Sequence, residues 1–403
     1  MTVDKPEAAV VGGGPAGLMA AEVLARAGAA VTLYEMHRSP GRKLLLAGRS
    51  GLNLTHTEPF DDLVARYEPR PSALVAALNE FSPKELRAWV EALGQPTFVG
   101  SSGRLFPQAH RAAPLLRAWL GRLELLGVRL RTQCRWDGWD DTGRLRFATP
   151  SGDEVVEPGA AVIAVGGASW PRVGSDGGWT AALSEDGIEI EALRPSNCGL
   201  KVDWSQVFLD RFEGTPVKNV VVSNGNRSRR GELVITREGL EGGPVYALAG
   251  ALGAGDSFPA AISMNLAPDL SAAALAERLA SRRPKESQST WLRGAGVASV
   301  AIGLLRETTG NQLSDDPATV AETLHDARFS IVGLSSLDRA ISTAGGVRFE
   351  ALDDWLMLGS RPGTFLAGEM LDWDAPTGGY LLQACFSTGV RAGRGAANYL
   401  GLR

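Results

Sequence analysis

The stretch from Ala8 to Glu35, AAVVGGGPAGLMAAEVLARAGAAVTLYE, restricts the chain to a small set of folds. An apolar run, Ala8 to Val11, reads as a buried strand. It enters Gly12-Gly13-Gly14-Pro15-Ala16-Gly17, a G-x-G-x-x-G. A helical run to Ala27 follows, then Gly28 as a stop, then a second strand ending in Glu35. Each glycine has a job in such a unit. Gly12 permits the tight turn, Gly14 lets the backbone approach a pyrophosphate, and Gly17 lets the helix pack on the strand. The free N–H groups and the dipole at the helix start favour phosphate. Glu35, about 20 residues on, is placed to accept ribose hydroxyls. The glycine pattern alone is weak. With strand, helix, second strand and terminal acid it predicts a dinucleotide-binding βαβ unit.

The remaining composition narrows function by exclusion. The chain has 403 residues, enough for two or three domains, and 44% hydrophobic residues, enough for sizeable cores. A net charge of −4 gives no general pull toward nucleic acid or anionic membrane. No apolar run reaches the ~18 residues of a membrane span. The segment before the first strand has no apolar leader, so the expected location is cytoplasmic. Cys134, Cys198 and Cys385 lie far apart with no C-x-x-C, which predicts neither a disulfide framework nor a redox pair. The four histidines lack metal-ligand spacing, so no metal is expected.

Along the chain, Ser82-Pro83-Lys84-Glu85 reads as a helix start, with Leu86, Trp89, Val90 and Leu93 at helical spacing behind it. Leu115 to Leu123 repeats the pattern. Segments 128–134 and 144–157 alternate like strands, and Ala160 to Val165 is a buried strand running into Gly166-Gly167. Beyond about residue 190 the composition shifts. Residues 198–204, 217–223 and 232–236 read as strands, with Asn224-Gly225-Asn226 as a turn. Residues 269–325 read as helical, and glycine-rich strand character returns at Ile341. The expected fold is α/β: a Rossmann-type domain built from both chain ends (1–190 and 329–403), an inserted β-barrel-like domain (191–265) and a helical subdomain (266–328).

Further motifs carry a family resemblance. They are Gly41-Arg42-Lys43 leading to Asn53-Leu54-Thr55-His56; Gly103-Arg104-Leu105-Phe106-Pro107; Gly166-Gly167-Ala168-Ser169-Trp170-Pro171 with Gly174-Ser175-Asp176-Gly177; and Thr343-Ala344-Gly345-Gly346 with Gly368-Glu369 and Pro376-Thr377-Gly378-Gly379-Tyr380. Together they resemble the bacterial FAD-dependent oxidoreductases that include aminoacetone oxidase and a bile-acid 3-dehydro-delta4,6-reductase, with a branch linked to dihydrouridine in ribosomal RNA. The resemblance covers nearly the whole chain.

It implies FAD as cofactor in an NAD(P)H-linked or oxidase-type enzyme; with no second strand–GxGxxG–helix unit in mid-chain, NAD(P)H as donor is expected to dock transiently in the substrate cleft. It implies a cofactor set of Gly12, Gly14, Pro15, Ala16, Gly17, Glu35 and Met36, then Arg42, Lys43, Asn53, Cys134, Arg135 and Ala164. Gly166, Gly167, Gly368, Glu369, Thr377, Gly378, Gly379 and Tyr380 complete it. For Arg42 and Lys43 the alternative is solvated surface charge. Arg104, Asn53 and Trp170 are the weak catalytic candidates, with an ion pair or core packing as alternatives. His56 and His110 are weaker candidates as proton donors. Where relatives carry Arg-Cys, this chain has Gly51-Leu52, which predicts a less cationic pocket wall with Leu52 against a neutral ligand and Arg49 as the cation able to reverse that. The preferred reading is hydride transfer to or from a small organic molecule. The runner-up is an RNA-uridine reductase touching phosphate through Arg227, Arg229 and Arg230. A non-catalytic flavin-binding protein is the third.

Overall fold

The computed structural model describes residues 5–48, 51–255 and 257–402. The chain forms two compact units, one from the N-terminus to Arg194 and from Ser342 to the C-terminus, the other from Pro195 to Ile341.

The first unit is built on a five-stranded sheet. Its order is Thr364–Leu366, Ala160–Ile163, Glu7–Val11, Ala30–Glu35, Arg129–Thr132, and every neighbouring pair is parallel. Parallel strands are buried on both faces, which is why they read as unbroken apolar runs rather than alternating ones. Val10, Val31, Leu33 and Val162 are at most 1% exposed. The helix Pro15–Arg26 and the last helix, Tyr380–Tyr399, cross closely because small residues meet there. A Cβ on Gly389 would lie 2.4 Å from the Ala16 carbonyl oxygen, and one on Gly393 would lie 3.1 Å from Ala20 Cα. The helix Pro83–Ala92 opens with the expected capping box: Glu85 accepts from the Ser82 N–H, and Ser82 Oγ accepts from the Lys84 N–H. Segment 144–157 is strand-like as expected and forms a hairpin of Leu145–Thr149 and Gly152–Val156. A small antiparallel sheet, Thr55–His56, Arg104–Pro107 and Thr97–Val99, completes the part that matters for the site.

The second unit holds a seven-stranded antiparallel sheet running from Ala327–Ile331 at one edge to Gly333–Leu334 at the other. The chain therefore re-enters the first unit only at Ser342. Four helices between Ala272 and His325 enclose their own apolar cluster of Leu275, Leu279, Trp291, Leu292, Leu305 and Leu324. Among the described residues no helix is long and apolar enough to cross a membrane, and no group of acidic, His and Cys side chains could hold a metal ion.

Candidate active site and cofactor cleft

The glycine turn is shaped by contacts that forbid a side chain at two positions and by a space that admits a ligand at a third. Gly12 has φ +101°, and a Cβ there would sit 2.3 Å from the Ala164 carbonyl oxygen. A Cβ on Gly17 would sit 1.9 Å from the Gly12 carbonyl oxygen. Around Gly14 nothing lies within 4 Å of such a Cβ. The helix that follows starts at Pro15 with no side-chain cap, so its first-turn N–H groups are left for a ligand.

Glu35 closes this corner. It is 7% exposed, and its two oxygens accept from the Gly13 N–H at 2.9 Å and the His37 N–H at 2.8 Å. Burial pushes its carboxyl up, and the two backbone hydrogen bonds offset only part of that. Each oxygen keeps a lone pair for a further donor.

Fourteen of the expected cofactor residues line one cleft of about 260 Å³: Gly12, Gly14, Pro15, Ala16, Glu35, Met36, Arg42, Lys43, Cys134, Arg135, Ala164, Gly166, Gly368 and Glu369. Tyr34, Trp136, Ser175, Asp176 and Trp179 line it too and were missed. For Ser175 and Asp176 a signal existed, since they sit in the Gly174-to-Gly177 motif. Lys43 is neither a solvated charge nor a free cation. Its ammonium donates to Glu369 Oε2 at 2.6 Å and Ser169 Oγ at 2.7 Å, while Glu369 Oε1 accepts from the Thr343 N–H at 3.0 Å. Arg42 reaches the Arg172 carbonyl at 3.4 Å. Cys385 also lines the cleft, and burial pushes its thiol up to about 12. Cys134 is buried, and its thiol is likewise pushed up by desolvation.

Gly17, Asn53, Gly167 and Thr377 to Tyr380 are not among the residues lining that cleft. Gly17 packs on Gly12, and Gly167 packs on Thr343. Gly378, Gly379 and Tyr380 stand at the start of the last helix, against Thr55. Gly379 has φ +97°, and a Cβ there would lie 2.6 Å from the Thr55 backbone. Asn53 Oδ1 and Thr55 Oγ1 are buried without a hydrogen-bond partner, and neither residue lines the cleft.

Around them lies a network that no short motif announced. The Tyr380 hydroxyl donates to Glu58 Oε1 at 2.6 Å, Arg66 binds Glu58 Oε2 at 2.7 Å, and Tyr67 donates to the Tyr380 carbonyl at 2.8 Å. Burial works to raise the Glu58 carboxyl, but the hydrogen bonds from Arg66 and Tyr380 outweigh it and hold it low. The Tyr380 hydroxyl is pushed up by burial and by the Glu58 carboxylate. His56 stacks on the Tyr380 ring with centroids 5.6 Å apart. Its Nδ1 accepts from the Glu58 N–H at 3.1 Å and its Nε2 lies 2.9 Å from the Ser102 carbonyl, so both ring nitrogens are committed to the backbone.

Two expectations need separate statements. Leu52 does not face a ligand: it is 0% exposed and part of the main apolar core, because its neighbour Leu54 and the His110 carbonyl fix this segment inward. Arg49 lies outside the described residues. Trp170, with φ +64°, is 37% exposed and precedes a short 3-10 turn at Pro171–Val173.

These features fit FAD. The uncapped helix start and the space at Gly14 suit a pyrophosphate. Glu35 suits an adenosine ribose.

Comparison with known proteins agrees. Residues 6–395 match the HI0933-like protein Rossmann domain family. The chain is 26% identical over 410 residues to the 3-dehydro-bile acid delta(4,6)-reductase of Clostridium scindens, covering 96% of this chain and 98% of that protein. It is 24% identical over 401 residues to the ribosomal RNA dihydrouridine synthase of Escherichia coli, covering 96% of each. Among solved structures, the open conformation of a flavocytochrome c3 fumarate reductase superposes with a TM-score of 0.53 at 16% identity, over 99% of this chain and 79% of that one, a likeness of fold. The chain belongs to the HI0933-like Rossmann family of FAD-dependent oxidoreductases.

Proposed function

We propose that this chain transfers a hydride between FAD and a small organic substrate, with NADH or NADPH as the electron donor. The observation that carries the proposal is the cleft of about 260 Å³ open at Gly14, beside an uncapped helix start and the buried Glu35. Bound FAD supplies the hydride chemistry.

The chain's own residues do the rest. The first-turn N–H groups after Gly14 hold the pyrophosphate. Glu35 accepts the ribose hydroxyls, and its hydrogen bonds to Gly13 and His37 keep it in place for that. The Lys43–Glu369 pair presents a neutralised, ordered polar wall. The last helix starts at Gly379 with no side-chain cap, so its N-terminal dipole favours the negative charge of a reduced flavin. Tyr380 is held by Glu58 and Tyr67 as a fixed wall of that site.

A cysteine mechanism is disfavoured, since the cleft-lining thiols are held protonated by burial. The test is anaerobic addition of NADH or NADPH to the yellow protein. We expect the flavin to bleach and to recolour when an organic acceptor or oxygen is added. A variant with Cys134, Cys198 and Cys385 all changed to serine should do the same, at some loss of stability. A flavin that no nicotinamide reduces would remove the proposed donor. Loss of turnover in a folded, flavin-loaded triple variant would restore a thiol mechanism.

The second reading, an RNA-uridine reductase, has one observation in its favour. Arg227 and Arg229 stand exposed on the hairpin of the second unit, although Arg230 beside them is tied to Asp269 and Asn219.

A further inference from the structure

Past Glu35 the cleft lining continues onto two further elements of the first unit. The Cys134 N–H donates to the Glu35 carbonyl at 2.9 Å, which brings the strand Arg135–Trp139 to the ribose corner. The helix Trp179–Glu185 packs on that strand: a Cβ on Gly138 would lie 3.1 Å from Ala182 Cβ. Trp136, Asp137, Trp179 and Glu185 from these elements line the cleft, with Arg146 from the neighbouring strand Leu145–Thr149.

Two of these side chains are large aromatics and almost wholly buried, Trp136 at 7% and Trp179 at 6% exposure. Neither indole N–H has a hydrogen-bond partner, and neither has Arg146 Nε. Among the described residues, these three are the cleft-lining side chains that keep a buried polar atom without a partner. All three atoms are donors. A buried indole N–H ordinarily finds an acceptor, and one left unmet is costly. The surroundings hold the donors in place. Trp136 stands edge-on to Trp139 with centroids 5.0 Å apart, Arg361 lies over Trp139 at 4.2 Å, and an Arg146 terminal nitrogen donates to the Asp137 carbonyl at 2.8 Å.

We propose that Trp136 and Trp179 read the base of the dinucleotide: their indole N–H groups donate to ring nitrogens of an adenine, and their rings wall its faces. The inference rests on the FAD reading above and names the residues that select the base. The order along the cleft carries it. The pyrophosphate belongs at Gly14 and the ribose at Glu35, so the base falls to the next stretch of lining, at Trp136 and Trp179. The chemistry agrees. Adenine is a flat ring whose edge presents acceptor nitrogens and one amino group. The acceptors answer the orphaned donors, and the Asp137 and Glu185 carboxylates lining the same cleft can accept from the amino group. A phosphate is the wrong occupant for two neutral indoles, since it is met by backbone N–H groups and cations.

The test is calorimetric titration of the flavin-free full chain with ADP and with its 1-, 3- and 7-deaza analogues, each of which replaces one ring nitrogen by C–H. We expect at least one analogue to bind about 5-fold or more weakly than ADP, as loss of the acceptor for a buried donor would give. In Trp136→Phe or in Trp179→Phe that deficit should shrink to within about 2-fold, because the donor is gone. A tryptophan that only packs would leave the deficit as it is. Thermal unfolding reports the folding of each variant. A second measurement needs no variant: in the parent labelled with 15N-tryptophan, ADP should move two indole N–H signals downfield. Every deaza analogue binding the parent as tightly as ADP, a deficit that survives in both folded variants, or fewer than two indole signals moving would each overturn the pocket. FAD recovered from the same protein would then leave the oxidoreductase reading standing. The expected pattern with ADP in a chain that takes up no FAD would keep the pocket and overturn the oxidoreductase reading.

Discussion

Gly14→Ala should leave the apoprotein as stable as the parent and remove flavin binding. Its backbone, φ −82° and ψ 179°, suits alanine, and no atom lies within 4 Å of the added methyl. The expected change in stability is within about 0.5–1 kcal/mol and is as easily positive as negative. The methyl occupies the space through which the backbone approaches the pyrophosphate, so affinity should fall at least about 100-fold, ~2.7 kcal/mol. Gly17→Ala should behave in the opposite order. Its methyl would sit 1.9 Å from the Gly12 carbonyl oxygen. That overlap cannot relax without parting helix from strand, and should cost about 3 kcal/mol or more of folding stability. Thermal unfolding of the apoproteins and titration with FAD separate the two. Parent-like affinity in Gly14→Ala would mean that no phosphate approaches the turn there.

Glu35→Ala should lower FAD affinity by roughly 10- to 150-fold, the loss of a charge-assisted acceptor worth on the order of 1.5–3 kcal/mol. Unlike Gly14→Ala, it should also lower the stability of the apoprotein. The carboxylate ties the Gly13 N–H to the end of the second strand, and removing it strands a buried donor. Loss of that bond is worth about 1–3 kcal/mol. Glu35→Gln keeps one acceptor oxygen and should lose less on both counts. The same carboxyl gives a pH signature. Burial raises its pKa above the ordinary value near 4.5. A carboxyl raised in the folded state binds its proton more tightly there than in the unfolded chain. Lowering the pH from neutral therefore adds stability at this site between the two values. FAD affinity should move the other way, falling as pH drops through the raised value, because the protonated acid loses an acceptor. A flavin titration series against pH checks this. An affinity that holds unchanged down to pH 4 would place Glu35 away from the adenosine.

The first βαβ unit was legible because its glycines, its helical spacing and its terminal acid point to one geometry. The helix start at Ser82 was legible for the same reason: a cap residue, a proline and the periodic run behind them coincide. Other elements were hidden by context. Gly243–Gly255 is a helix although its sequence, GPVYALAGALGAG, has the composition of a loop. Burial of Val245, Leu248, Ala249 and Leu252 overrides its poor propensity. In the site, Glu35 and the glycine turn were readable as a local pattern. The Lys43–Glu369 pair and the Tyr380–Glu58 bond were not, since they join residues more than 300 positions apart. Leu52 misled because alignment with relatives shows which residue type has changed, but not which way its side chain turns.

Whether this cleft holds FAD is decided by heat release of the chromophore from the purified protein, followed by chromatography against FAD and FMN standards. We expect FAD at about one per chain, because the Glu35 carboxylate and the Gly14 turn match an adenosine ribose and a pyrophosphate. Recovery of FMN, or of no flavin even after incubation of the folded protein with FAD, would contradict it.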